Sequence, residues 1–137
     1  RIEEVATVGG VLWVNDSKAT NTGSTNVALA AFDCPVHLIA GGQGKSQDFT
    51  ALRGAVLARA AAVYLIGEDA EALADALDGT VPLHRCGDLE HAVVAAATAA
   101  RPGEAVLLSP ACASFDQFAD FEERGRAFRT LVAARDR

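Results

Sequence analysis

Val36-His37-Leu38-Ile39-Ala40, followed at once by Gly41-Gly42-Gln43-Gly44-Lys45-Ser46 and then by the pattern Phe49–Ala60, is the stretch that decides the fold. The first run is short and unbroken by charge, as expected of a strand covered on both faces. Phe49–Ala60 places Phe49, Leu52, Val56 and Leu57 on one helical stripe, with Asp48 in position to cap it. A buried strand, a glycine turn and an amphipathic helix together form the repeating unit of a parallel α/β sheet.

Outward from that unit the same alternation continues. Strands are expected at Glu4–Val8 and Val11–Val14 before it, and at Ala62–Ile66, Pro82–Cys86 and Ala105–Leu108 after it. Gly9-Gly10 between the first two reads as a two-residue hairpin turn, which makes that pair antiparallel. Helices are expected at Thr25–Phe32, Ala70–Leu77, Leu89–Ala100 (with Asp88 as N-cap) and Phe115–Ala134. The entry to the last one, Ser114-Phe115-Asp116-Gln117, has the S-x-x-Q form of a capping box. Right-handed crossovers fold this order into a Rossmann-like α/β domain. It has a six-stranded, mostly parallel sheet with one antiparallel strand and helices on both faces. No linker, repeat or low-complexity segment divides residues 1–137, so a single domain is expected.

Composition excludes several classes. The net charge is −6, and no basic cluster stands out beyond Arg124–Arg129, which argues against binding along a nucleic-acid backbone. No apolar run reaches the length of a membrane span, and no signal peptide is visible. Cys34, Cys86 and Cys112 are odd in number, widely spaced and without a C-x-x-C pair, which fits reduced thiols in a cytoplasmic protein and no metal site. His37, His84 and His91 read as strand or helix-surface residues, not ligands. A chain that starts at Arg1 and contains no Met is expected to be a piece of a longer protein.

In open α/β sheets, ligands sit beyond the carboxyl ends of strands. Three turns there are more polar than helix entry requires. They are Asn15-Asp16-Ser17-Lys18-Ala19-Thr20-Asn21, Gly41 to Ser46, and Ser109-Pro110-Ala111-Cys112-Ala113-Ser114. The only two lysines, Lys18 and Lys45, fall in them, while the other ten basic residues are Arg. Gly44-Lys45-Ser46 imitates the end of a P-loop, but that motif needs glycine at position 39, where Ile39 stands. Each turn also has a plain structural account. Thr20, Asn21 and Ser114 can cap helices, Asp16 and Lys18 can form a surface pair, and the glycine turn can be a tight connection. Jointly the turns offer two ammonium groups, hydroxyls and helix N-termini, a set suited to a small dianionic or zwitterionic ligand.

At these same three turns the chain resembles the MurD ligases. Asn15 to Asn21, running on through Gly23-Ser24-Thr25, is similar to the family's N-D-S-K-A-T-N motif, and Gly41 to Ser46 to its G-G-x-G-K-S turn. Ser109 to Phe118, then Phe121-Glu122 and Arg124-Gly125, resembles its S-P-A-C-A-S-x-D-Q-F…F-E-x-R-G signature. The resemblance implies the C-terminal domain of a three-domain, monomeric, cytoplasmic enzyme of peptidoglycan precursor synthesis. That enzyme uses ATP and Mg²⁺, held mainly by its central domain, to join D-glutamate to UDP-N-acetylmuramoyl-L-alanine through an acyl phosphate. It further implies that Lys45 and Thr20 hold one carboxylate of D-glutamate. Ser114 and the Phe121 backbone N–H, with Phe115 alongside, would hold the other. Lys18 would face the reacting centre, Asp16 would accept from the ATP ribose, and Arg1 would contact the nucleotide. Phe115 stands where the family often has Leu. The domain alone would be inactive, since it has neither a P-loop nor a Mg²⁺ site of its own. A stand-alone small-anion-binding module is the alternative. A dinucleotide-binding enzyme is disfavoured because the glycine fingerprint is missing after the first parallel strand.

Overall fold

The computed structural model describes residues 2–136. β1 (Glu3–Val8) and β2 (Val11–Asn15) form the expected hairpin, with Gly9 and Gly10 at φ 57° and 82°. Two left-handed residues in a row suit the right-handed twist of the strands they join. There follow α1 (Thr22–Ala30), β3 (Val36–Gly41), a 3-10 turn (Phe49–Leu52) running into α2 (Arg53–Arg59), and β4 (Ala60–Ile66). The chain then forms α3 (Ala70–Ala76), β5 (Leu83–Gly87), α4 (Leu89–Ala99), β6 (Ala105–Leu108) and α5 (Phe121–Arg135). Asn21, Asp48 and Asp88 cap their helices by accepting from Ser24, Thr50 and His91 backbone N–H groups at 2.9, 3.0 and 2.9 Å.

The six strands lie in the order β1-β2-β6-β3-β4-β5, and every pair except β1–β2 is parallel. In register, Val14, Leu107, Leu38, Val63 and Leu83 form a row across the five parallel strands. That row packs beneath Ala28 and Leu29 of α1, Val56 of α2 and Leu73 of α3. The opposite face carries Trp13, Val106, Ile39 and Tyr64, covered by Ala92, Val93 and Ala96 of α4 and Phe128 and Val132 of α5. Leu38 and Ile39 are adjacent in sequence, are both fully buried, and point into different cores. Burying each such side chain contributes roughly 1.5–3 kcal/mol, which is why β3 shows no polar alternation.

One local expectation is met and another is corrected. His37 is a strand residue, as expected, buried on the α4/α5 face with its ring nitrogens 2.8 Å from Tyr64 Oη and 2.8 Å from Glu104 Oε1. The last helix begins at Phe121, six residues after the expected start at Phe115. Asp116 Oδ2 instead accepts from Glu68 N–H at 2.8 Å, and Gln117 Nε2 donates to Gly87 carbonyl at 2.9 Å. These contacts draw the segment toward the turns after β4 and β5. Asp120 then caps α5 through Glu123 N–H at 2.8 Å, and the Glu123 carboxylate accepts from Ala119 N–H at 2.6 Å.

Candidate functional site

β6, last in the chain, inserts between β2 and β3. The three polar turns leave the carboxyl ends of β2, β3 and β6, so this insertion sets them side by side at one edge of the sheet. Backbone hydrogen bonds then join them. Gly41 N–H donates to Pro110 carbonyl at 3.0 Å, Ala111 N–H to Ala19 carbonyl at 3.0 Å, and Gln43 and Ala113 exchange a pair of bonds at 2.9 Å each. Close packing around the second turn, by β4 on one side and the third turn on the other, leaves no room for a Cβ at two glycines. A Cβ on Gly41 (φ 138°) would lie 1.8 Å from Ile66 carbonyl oxygen, and one on Gly42 (φ 133°) 2.3 Å from that of Ala113. Lys45, Ser46 and Ala111 adopt left-handed backbone at φ 52°, 64° and 62°. That conformation is costly for residues with a Cβ and persists only where surrounding contacts over-determine it.

In the first turn, Asn15 Oδ1 accepts from Ser17 N–H at 3.0 Å, an Asx turn that aims the next residues outward. Asp16 is buried, and Ser109 Oγ donates to its Oδ2 at 2.9 Å. Burial raises the Asp16 carboxyl above its ordinary value, against the opposing pull of the Ser109 hydrogen bond. Asp16 and Lys18 line a cleft of about 670 Å³ with Asn21, Ser24 and Val27. Lys18 is exposed and also borders a second cleft, of about 270 Å³, lined by Ser17, Phe121, Glu122 and Arg126. Lys18 therefore borders both clefts.

The second and third turns meet through side chains. Lys45 Nζ lies 5.6 Å from the centroid of the exposed Phe115 ring, within cation–π range. Thr20, in the first turn, is half-buried, and its carbonyl lies 3.5 Å from Gln47 Nε2. Phe121 opens α5, so its N–H falls outside the helix's own hydrogen-bond ladder. Its carbonyl accepts from Ser17 Oγ at 2.6 Å, which ties the start of α5 to the first turn. Ser114 is 2% exposed, and its Oγ has no partner among the described residues. It is a buried hydroxyl ready to bond, not one presented on a helix N-terminus as the capping reading expected. Arg1 lies outside the described residues. The structure therefore brings Lys45 to Phe115, Lys18 to Phe121 and Asp16 to Lys18, all on one sheet edge. Ser114 stays beneath that surface.

Some members of this arrangement had no role assigned from sequence, although Arg124 lies in the third motif quoted above. Arg124 is 1% exposed, and its Nε donates to Ser17 Oγ at 2.9 Å. Its Nη2 donates to the carbonyls of Ser17 and Cys112 at 2.7 and 3.0 Å. Burial pushes its pKa down to about 10, so it remains charged at neutral pH. Gln47 bridges all three turns. Asp69 accepts from Gly44 N–H at 2.6 Å. An arginine three residues into a helix, and a glutamine just past a glycine turn, carry no local signal of partners this far away in sequence. Cys112 is buried and its thiol is pushed up to about 12, so it is no nucleophile at neutral pH. Among the described residues no three His, Cys, Asp or Glu side chains are grouped to hold a metal ion. No helix among the described residues is long and apolar enough to cross a membrane.

Comparison with known proteins bears on the family and the fold. Residues 1–112 match the family described as Mur ligase, glutamate ligase domain. A UDP-N-acetylmuramoylalanine–D-glutamate ligase from Acidobacterium capsulatum is 50% identical over 134 residues, covering 98% of this chain and 29% of that one. Its counterpart from Myxococcus xanthus is 52% identical, covering 98% of this chain and 30% of its own. The chain thus spans about 30% of the length of the curated relatives it matches. A Haemophilus ducreyi structure, of a domain assigned to a UDP-N-acetylmuramate:L-alanyl-gamma-D-glutamyl-diaminopimelate ligase, shares the fold at a TM-score of 0.66. It is 14% identical, with 98% of this chain and 99% of that one covered. Escherichia coli FolC in complex with ADP follows at a TM-score of 0.62 and 16% identity, covering 96% of this chain and 31% of that one.

Proposed function

The chain belongs to the Mur ligase glutamate-ligase-domain family, and we propose that it is the D-glutamate-holding domain of an ATP-dependent ligase that extends UDP-N-acetylmuramoyl-L-alanine. The observation that carries this reading is the insertion of β6 between β2 and β3, which sets the turns bearing Lys18, Lys45 and Ser114 along one edge. D-glutamate has two carboxylates and one amine, and the edge offers two ammonium groups, a buried hydroxyl and the free N–H at the start of α5. Each charge-assisted contact contributes roughly 1.5–3 kcal/mol.

In the proposed reaction, the terminal phosphoryl group of ATP passes to the carboxylate of UDP-N-acetylmuramoyl-L-alanine. The D-glutamate amine then attacks the acyl carbon, the C–O bond to phosphate breaks, and the amine loses a proton. Amide, ADP and phosphate result. Phosphorylation is needed because a free carboxylate is a poor electrophile. In this reading Lys45 and Thr20 hold one carboxylate of D-glutamate, while Ser114 and Phe121 N–H hold the other. Phe115 lies against Lys45 and walls that end of the site. Lys18, which borders both clefts, faces charge developing at the acyl phosphate. Asp16 accepts from the ATP ribose on the floor of the larger cleft, and Arg1 contacts the nucleotide. Fixing the amine in line with the acyl carbon turns the coupling into an intramolecular event.

The remaining domains of the same cytoplasmic, monomeric enzyme supply the nucleotide and UDP sites, so the 137-residue chain alone turns nothing over. The test is phosphate release by the full-length ligase with ATP, Mg²⁺ and UDP-N-acetylmuramoyl-L-alanine, with D-glutamate present or withheld. Release should require D-glutamate, and Lys45→Ala should raise its KM by roughly tenfold or more. Release that ignores D-glutamate, or follows another amino acid, refutes the substrate assignment.

A further inference from the structure

We propose that Gln47 is a positioning residue of the D-glutamate site, setting the spacing of the three ligand-facing turns through its side-chain amide. This rests on the functional reading above. Gln47 Nε2 donates to Gly44 carbonyl at 2.8 Å and to Ala111 carbonyl at 2.8 Å, with Thr20 carbonyl at 3.5 Å. Its Oε1 accepts from Thr22 N–H at 2.9 Å. The amide can sit only one way round, because the reverse would set its oxygen against two carbonyls and its nitrogen against an N–H.

The partners flank the positions assigned to the ligand: Gly44 lies one residue from Lys45, Thr22 two from Thr20 and Ala111 three from Ser114. Gly44 precedes Lys45, whose left-handed backbone must be held by its surroundings. Ala111, also left-handed, donates its N–H to Ala19 carbonyl at 3.0 Å, so both polar groups of its peptide are committed. Thr22 opens α1, and its N–H would otherwise be one of that helix's orphan donors. Backbone hydrogen bonds join the third turn to each of the others, but none joins the first turn to the second among the described residues. Gln47 makes that joint. Thr20 and Lys45, the two residues assigned to one carboxylate, thus stand on turns whose separation one amide controls.

The substitution Gln47→Glu in the full-length ligase isolates this role. It keeps the shape of the side chain and its acceptor for Thr22, but replaces both donors with a carboxylate oxygen facing two carbonyls. The expected result is a D-glutamate KM raised roughly tenfold or more near pH 8, with the ATP KM within about twofold of wild type. The defect should narrow on going from pH 8 to pH 6 relative to wild type, because a protonated carboxyl regains one O–H donor. A purely structural role would not produce that substrate split or that pH recovery. Gln47→Met, neutral and of similar volume, should show the same split without the pH recovery, and serves if the Glu variant does not fold. An unchanged D-glutamate KM overturns the proposal. So does a parallel rise in the KM of all three substrates, or loss of the fold in both variants. Wild-type turnover indifferent to D-glutamate overturns the functional reading itself, and the positioning role with it.

Discussion

Replacing Gly42 with Ala puts the close approach of the second and third turns to a direct test. Gly42 sits at φ 133°, and an added Cβ would lie 2.3 Å from Ala113 carbonyl oxygen and 3.1 Å from Cys112 Cβ. The nearest obstacle is backbone, so no side-chain rotation relieves it. A residue with a Cβ in this region of backbone space costs roughly 1–3 kcal/mol. Displacing Ala113 also breaks the reciprocal pair with Gln43, 2.9 Å in each direction, at roughly 0.5–1.5 kcal/mol per bond. The sum centres near 4 kcal/mol. For a chain of 137 residues the unfolding entropy corresponds to roughly 3.5 °C per kcal/mol, so the midpoint should fall by about 14 °C. Gly79→Ala is the control. Gly79 has φ 81° with nothing within 4 Å of an added Cβ, so it carries the left-handed cost alone, about 1–2 kcal/mol. The stabilisation of either variant through its less flexible unfolded chain cancels in the comparison. Thermal and urea unfolding of wild type and both variants give the numbers. A Gly42→Ala midpoint within about 3 °C of the Gly79→Ala midpoint would mean the turns are not held as closely as the geometry requires.

Other outcomes are expected elsewhere. Gly54→Ala, in α2 with open space around the added methyl, should stabilise the chain by about 0.5–1 kcal/mol; a lower urea midpoint would contradict the helical backbone there. Asp16→Asn should raise the midpoint at pH 7 while raising the ATP KM of the full-length enzyme. Burial lifts the folded Asp16 carboxyl above its ordinary 3.8, so its penalty is absent below 3.8 and grows as pH rises through the folded value. The stability gap between variant and wild type should therefore close near pH 3, and a gap that persists there would assign the gain to something other than charge. Glu104 behaves oppositely. The hydrogen bond with His37, then that from Arg101 N–H, holds its carboxyl below the ordinary 4.5. Its contribution is full above pH 4.5 and is lost as pH falls through the folded value. Urea midpoints between pH 5.5 and pH 3.5 should thus fall more steeply for wild type than for Glu104→Gln, and equal slopes would remove Glu104 from the acid response.

Much of the architecture is legible because it rests on short-range rules. The runs at Val36, Ala62 and Ala105 are strands since each buries both faces, and Gly9-Gly10 turns the hairpin through two positive φ values. Asn21, Asp48 and Asp88 cap their helices because a short polar side chain there reaches an N–H two or three residues on. The start of α5 misled for a related reason. Ser114-x-x-Gln117 and Asp120-x-x-Glu123 both look like helix entries, and only the second becomes one. The choice between them was made by Glu68 N–H and Gly87 carbonyl, which engage Asp116 and Gln117 from other turns.

The residues proposed for the site divide along the same line. Lys18, Lys45, Thr20, Asp16 and Ser114 were visible as unusual chemistry in turns that follow strands, since a residue type and its immediate neighbours are local facts. Gln47 and Arg124 were not, because their partners come from turns brought near only by folding. By itself the sequence determined six strands, five helices, the hairpin and three polar turns, all properties of segments a few residues long. Tertiary structure alone decided that β6 lies between β2 and β3, that the three turns therefore share one edge, and that Ser114 lies beneath the surface. Strand order is chosen by which apolar faces bury best together across the whole chain, and no window of sequence contains that comparison.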